Sequence, residues 1–251
     1  MAERPRDRAI CLYATDFSET SQVVHLLTRE HGVVHLLAKG SKRARSATGG
    51  RIDLLSTGEV VFIPSRGTTL GTLTEFTEAA NHSPLRKRLA ALNGALYMLE
   101  ITRMLLAEGD PHPPVYDLLA AALDRLDRPD APTAAVLAYF QWRLLLHVGL
   151  LGEMGRCLNC GRPLDRRGTY FTSREGGMLC RDCEGGWTEK RQVGGEALAG
   201  IAAMTAMQRR QPASLTEPQA LAVLDLLTYH LSYQLGRSPR MFRYVHPAGR
   251  H

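Results

Sequence analysis

Val23-Val24-His25-Leu26-Leu27-Thr28 is followed by Arg29-Glu30-His31-Gly32 and then by Val33-Val34-His35-Leu36-Leu37-Ala38. Two short runs rich in β-branched and apolar residues, divided by a polar segment ending in His-Gly, read as strands around a turn. The pattern continues in both directions. Ile10 to Thr15 precedes the pair across a turn at Asp16-Phe17-Ser18-Glu19. Glu59 to Ile63 and Leu70 to Phe76 follow it, divided by Pro64-Ser65-Arg66-Gly67. Five short strands within the first 80 residues predict a small closed barrel of the oligonucleotide-binding (OB) kind, which removes sheet edges by closure.

Beyond residue 80 the period lengthens from two to three and four. Ser83-Pro84 predicts a helix start. Leu85, Leu89, Leu92, Leu96 and Leu99 then form one stripe, with Gly109 as the stop. Pro113-Pro114 opens a helix through Leu118, Leu119, Leu123 and Leu126, and Thr133 opens another through Leu137, Phe140 and Leu144 to Gly149. Leu198, Ile201 and Met204 follow, and Thr216-Glu217-Pro218 starts a long helix closed by Gly236. The fold class is α+β: an N-terminal OB-fold barrel over 1–80 and an α-helical domain over 81–251, with a four-cysteine zinc finger inserted at about 156–186.

That insertion holds four of the five cysteines, Cys157-Leu158-Asn159-Cys160 and Cys180-Arg181-Asp182-Cys183, with 19 residues between the pairs. A CxxC bend delivers two thiolates to one tetrahedral ion, and the glycine of Cys160-Gly161 lets backbone N–H groups turn toward the sulfurs. An interval of about 15–20 residues suits a hairpin that brings the chain back to the metal. The reading is one structural Zn2+ held by Cys157, Cys160, Cys180 and Cys183. Four sulfurs leave no open position for water or substrate, so the metal would be a scaffold. Two disulfides or four free thiols are the alternatives. Cys11 stands in an apolar stretch and reads as core.

The net charge of +6 is concentrated in places. Residues 39–51 hold Lys39, Lys42, Arg43, Arg45 and Arg51 with no acid, among Gly, Ser, Ala and Thr that cannot build a core. Such a loop offers cations to phosphates, or is simply a solvated loop. After residue 191 six cations face three acids, and Arg237, Arg240 and Arg243 follow the last long helix. They would receive an acidic partner segment or serve the helix dipole. The sequence contains no G-x-x-x-x-G-K-[ST], H-E-x-x-H, G-x-S-x-G or G-x-G-x-x-G, and no histidine two residues before a glutamate. Nothing therefore points to an enzyme. His25, His35, His147 and His230 lie in apolar stripes and read as structural. No apolar run reaches the ~18–20 residues of a membrane span, and the N-terminus has no apolar signal core. A cytoplasmic location is expected.

In order along the chain, several segments resemble those of the RecO family of recombination mediators. They are Asp16-Phe17-Ser18-Glu19, Val23 to Thr28, Arg29-Glu30-His31-Gly32, Ala38-Lys39-Gly40-Ser41-Lys42-Arg43 and Leu70-Gly71-Thr72-Leu73-Thr74-Glu75. Phe140-Gln141-Trp142-Arg143-Leu144-Leu145, Cys157-x-x-Cys160-Gly161 and Gly176-Gly177-Met178-Leu179-Cys180 with Cys183 complete the set. Phe17 stands where the family often has glycine. The resemblance implies a non-enzymatic DNA-repair protein of the bacterial nucleoid. It would bind single- and double-stranded DNA and anneal complementary strands. With RecR and RecF, it would help load RecA onto DNA coated by single-strand-binding protein. A zinc-ribbon transcription or RNA-binding factor is the rival reading.

Overall fold

The computed structural model describes residues 4–43, 46, 50–65, 67, 70–164, 168–208 and 214–246. The chain folds as two compact units, Met1–Pro129 and Asp130–His251.

The first unit is built on β1 (Arg6–Asp16), β2 (Gln22–Thr28), β3 (Gly32–Ala38), β4 (Thr57–Ile63) and β5 (Gly71–Ala80). They close into a barrel in the order β1-β2-β3-β5-β4, with β4 returning to β1 and β3 meeting β5 in parallel. This is the OB arrangement expected from the strand count, with β1, β4 and β5 longer or shifted at their ends. Register divides the ambiguous apolar runs by face. Val24, Leu26, Leu36 and Ala38 point inward with Ala9, Cys11, Val60, Phe62, Leu73 and Phe76, and His25 pairs across the outer face with His35. Closure needs strands to approach tightly at β4 and β5. A Cβ at Gly58 would meet the Thr77 carbonyl oxygen at 2.2 Å, so only glycine fits beside the irregularity between Thr57 and Gly58.

Three helices complete this unit: α1 (Ser83–Arg86), α2 (Leu89–Leu105) and α3 (Pro113–Asp127). The single helix expected from Ser83 to Gly109 is in fact broken at Lys87-Arg88, and it stops at Leu105. Arg88 is extended (φ −120°, ψ 108°) and its guanidinium donates to the carbonyls of Leu126 and Pro129. His82, in the left-handed region, caps α1, and the Asp127 carboxylate accepts from the Leu85 N–H at 3.2 Å in place of a side-chain cap. The break also turns the expected leucine stripe. Leu89 is 73% exposed and Leu92 and Leu96 are half-buried, while Ala91, Ala95, Met98 and Thr102 form the buried i, i+4, i+7, i+11 face. Arg29 holds α3 by a two-pronged contact with Asp117 at 3.0 and 2.9 Å. Arg103 of α2 lies over Tyr13, and Tyr13, His25 and His35 form a row of rings across β1–β3 that ends at Glu108.

The second unit contains α4 (Thr133–His147), a small sheet of β6 (Tyr170–Thr172), β7 (Gly177–Leu179) and β8 (Arg191–Gln192), then α5 (Gly195–Gln208), α6 (Glu217–Leu235) and α7 (Phe242–Val245). α6 opens with a Thr216/Gln219 capping box and closes at Gly236 in the left-handed region, as the sequence predicts. Leu137, Phe140, Leu144, Val223, Leu224, Leu227 and Leu231 are buried. At Gly200 a Cβ would lie 2.6 Å from Val223, so glycine lets α5 come close to α6.

Candidate nucleic-acid interface and metal centre

The basic loop leaves β3 at Lys39 and returns at Ile52, and its described residues enter no strand or helix. One buried side chain secures both of its ends. The Gln22 carboxamide oxygen accepts from Ser41 Oγ and from the Ile52 N–H, each at 3.1 Å, and its nitrogen donates to the Ile52 carbonyl at 3.2 Å. Further contacts bind the first foot to the β1–β2 turn: Lys42 N–H to the Thr20 carbonyl at 3.0 Å, and Gly40 N–H to Ser21 Oγ at 3.2 Å. Lys39 and Arg43 are exposed, and Arg51 is half exposed. Arg45 lies outside the described residues. The absence of acids within the loop does not leave its cations unneutralised, because Asp16 comes from β1 to meet two of them. Lys42 Nζ is 2.8 Å from Asp16 Oδ2, and Arg51 Nη1 is 3.2 Å from Asp16 Oδ1. Arg51 Nε also lies 3.5 Å from Asp53. The Lys42 hydrogen bond, helped by the field of Arg51, holds the Asp16 carboxyl below the usual range.

The four cysteines come together. Their sulfurs all lie within 4.8 Å of one another, and all four are free thiols. Cys160 Sγ and Cys180 Sγ are 3.8 Å apart. A tetrahedron of metal–sulfur bonds of about 2.3 Å sets its sulfurs about 3.8 Å apart, so the group fits a tetrathiolate ion. A disulfide needs about 2.05 Å. Each CxxC is a tight knuckle: Gly161 N–H donates to the Cys157 carbonyl at 2.9 Å, and Cys183 and Glu184 N–H groups both donate to the Cys180 carbonyl at 3.1 Å. Gly161 takes φ +70°, which its lack of a Cβ permits. The sheet between the pairs brings them together, with Leu158 N–H donating to the Met178 carbonyl at 2.8 Å. The Arg162 backbone N–H and guanidinium draw the Cys160 thiol down to about 6, whereas Cys183, despite a hydrogen bond from Asn159, is pushed up to about 11 by Cys180 and burial. For Cys157, burial opposes the thiolate, yet N–H groups of Cys180, Cys160 and Asn159 lower it on balance.

The end of β6 is tied to α6 by Glu189, which nothing in the sequence marks. Its carboxylate accepts from Ser173 N–H (2.6 Å), Arg174 N–H (3.0 Å), Thr172 Oγ1 (2.9 Å) and Tyr229 Oη of α6 (2.8 Å). Arg237, Arg240 and Arg243 are exposed beyond the Gly236 cap, with Arg243 over the Tyr244 ring. Of the four histidines expected to be structural, His230 is buried with Nε2 at 2.7 Å from the Leu150 carbonyl, His25 and His35 are half-buried and stack at 3.8 Å on the outer face of the barrel, and His147 is half-buried beside Arg143. A second group, His82, Asp124 and Asp127, brings ligating atoms within 4.8 Å. Asp127 is already committed there, to His82 Nδ1 at 2.5 Å and to the Leu85 N–H, so this group serves as a clasp between α1 and α3.

With this geometry in place, residues 1–81 match the family model described as Recombination protein O N terminal, and residues 86–241 match Recombination protein O C terminal. The chain belongs to the RecO family. A protein named DNA repair protein RecO from Rhodopirellula baltica is 30% identical over 209 residues, covering 82% of this chain and 77% of that protein. The protein of the same name from Anaeromyxobacter dehalogenans is 28% identical over 249 residues, covering 98% of each chain. One from Rubrobacter xylanophilus is 32% identical over 178 residues, 71% of each. The N-terminal match spans this chain's barrel, and the C-terminal match spans its helices and the four-cysteine cluster. Among the described residues no helix is long and apolar enough to cross a membrane.

Proposed function

We propose that this RecO-family chain is a non-enzymatic recombination mediator of the bacterial cytoplasm that binds single- and double-stranded DNA and anneals complementary strands. On this reading it assists RecA loading, with RecR and RecF, on DNA coated by single-strand-binding protein. The barrel over 1–80 is the DNA-binding domain, and 81–251 is the helical domain carrying the zinc insertion at about 156–186. The observation that supports the reading best is the basic loop pinned by Gln22 against the β1–β2 turn of an OB-like barrel. In OB folds oligonucleotides dock on the face of strands 2–3 and on the β1–β2 and β4–β5 loops, and the basic loop is tied to the first of these loops. Lys39, Lys42, Arg43, Arg45 and Arg51 would follow a phosphate backbone with little reading of sequence, as charge neutralisation in annealing requires.

One structural zinc held by Cys157, Cys160, Cys180 and Cys183 would lock the knuckles. Its chemistry there is structural cross-linking of two loops, since four thiolates complete its shell. Arg237, Arg240 and Arg243 would receive the acidic tail of single-strand-binding protein.

The test is annealing of complementary oligonucleotides, bare and coated with single-strand-binding protein, with nucleotide hydrolysis followed alongside. Annealing on both and no hydrolysis are expected. Lys39/Lys42/Arg43→Ala should reduce the slope of log affinity against log salt by about 0.7 for each single-strand phosphate no longer neutralised. Arg237/Arg240/Arg243→Ala should lose annealing on coated strands alone. Metal analysis should find one zinc per chain, lost in Cys157→Ser. Failure of the intact protein to anneal either substrate refutes the mediator reading, and stronger binding to RNA than to DNA would favour an RNA-binding factor.

A further inference from the structure

The contact between Asp16 and the two feet of the basic loop has the geometry of a bound anion. One carboxylate gives one oxygen to each of two cations, Oδ2 to Lys42 and Oδ1 to Arg51. Lys42 Nζ also reaches the Ser18 carbonyl at 3.3 Å, and Asp53 lies beside Arg51. A phosphodiester presents the same pattern, a single negative charge shared by two terminal oxygens, and charge-assisted bonds from Lys and Arg suit it equally.

Most surface ion pairs assemble only because their members attract each other, and they hold nothing in place when one leaves. Here the two cations are positioned by other means. Lys42 follows Ser41 and Arg51 precedes Ile52, and Ser41 and Ile52 are the two residues that the buried Gln22 binds. The backbone at Lys42 is fixed again by the Thr20 carbonyl. The anion seat is therefore built into the fold, and the carboxylate in it is half exposed at the end of β1, where solvent or a strand can reach it. The next residue, Phe17, is 63% exposed on the same turn. An exposed aromatic ring on the same turn as an anion seat offers what an unpaired nucleotide needs: a charge partner for its phosphate and a flat face for its base.

We propose that Asp16, Phe17, Lys42 and Arg51 form a nucleotide seat on the barrel, and that the Asp16 carboxylate fills its phosphate position until a DNA strand displaces it. The inference rests on the DNA-binding reading above and adds to it an internal competitor. Asp16 lowers affinity for any one phosphate and so keeps a bound strand exchangeable. The Phe17 ring biases the seat toward single strands, whose bases are free to stack.

The experiment measures affinity of the full-length protein for a single-stranded oligonucleotide and for the matching duplex at about 0.1 M salt. Asp16→Asn keeps the shape and removes the charge. One further phosphate neutralised at that salt corresponds to about fivefold in single-strand affinity. Glu19→Gln removes an exposed acid from the same turn and controls for general charge. The expected result is about fivefold tighter binding for Asp16→Asn, little change for Glu19→Gln, and no gain from Asp16→Asn in a Lys42→Ala/Arg51→Ala background. Phe17→Ala should weaken single-strand binding while leaving the duplex unchanged. The proposal is overturned if Asp16→Asn weakens binding, if its gain equals that of Glu19→Gln, or if the gain survives without Lys42 and Arg51. It is overturned equally if Phe17→Ala affects duplex and single strand alike. Absence of DNA binding by the wild-type protein would instead overturn the reading on which it rests.

Discussion

Replacing Gln22 by leucine tests how the basic loop is held. The Gln22 side chain has no solvent exposure and makes three hydrogen bonds, to the Ile52 N–H, the Ile52 carbonyl and Ser41 Oγ. Leucine is close to glutamine in size, so no large cavity is created. It strands the Ile52 N–H and carbonyl and the Ser41 hydroxyl in a site where Ser41 is 0% and Ile52 2% exposed. Each stranded buried group costs about 1–3 kcal/mol. Burying an apolar side chain in place of the amide returns roughly 1–2 kcal/mol of that. Three stranded groups less that return leave an expected net loss of about 1–8 kcal/mol, against a total stability of about 5–15 kcal/mol for a typical protein. For a unit of this size that is a fall in Tm of roughly 3–30 °C. Calorimetry on the full chain would read it as a shift of one unit's transition. DNA affinity measured well below that transition should fall too, because Lys42 and Arg51 stand next to the two residues released. A Tm within about 2 °C of wild type would refute the reasoning, since it would mean that the loop ends are satisfied without Gln22.

Two further substitutions and a pH series extend the test. Gly176 has φ +62°, and a Cβ there would meet the Leu150 carbonyl oxygen at 2.2 Å, whereas Gly149, at φ +73°, has nothing within 4 Å of its Cβ position. Gly149→Ala should therefore cost only the left-handed backbone penalty of about 1 kcal/mol, and Gly176→Ala more than about 2 kcal/mol. Equal losses of Tm would show that the clash is relieved. In the barrel, burial first, then His35 and Arg103, push His25 down to about 4. The unfolded chain takes up a proton near pH 6.5 that the folded barrel refuses, so the stability from neutral His25 is full above about 6.5 and is lost as pH falls toward 4. His25→Gln should flatten the Tm-against-pH curve in that window, and an unaltered curve would show that His25 does not carry it.

What could be read from the chain was local in sequence. Two CxxC pairs and a glycine knuckle place four sulfurs by short-range turn geometry, so the four-cysteine cluster was visible before any fold was known. β-branched runs between turn residues marked the five strands. Gly149 and Gly236 marked helix ends, because the left-handed region favours the residue with no Cβ. The structure alone decided what depends on distance through space. The helix broke at Arg88 because the Leu126 and Pro129 carbonyls and the Asp127 carboxylate, far along the chain, offered better partners than the next helical turn. That break moved the buried face from Leu89 and Leu92 to Ala91 and Ala95. Counting charges along 39–51 found cations and no acid, yet Coulomb energy falls with separation in space, and the barrel brings Asp16 within 2.8 Å of Lys42. Gln22 is one polar residue at the start of an apolar strand and has no periodicity to announce it. Only the closed barrel, by burying it between Ser41 and Ile52, makes its carboxamide the anchor of the loop.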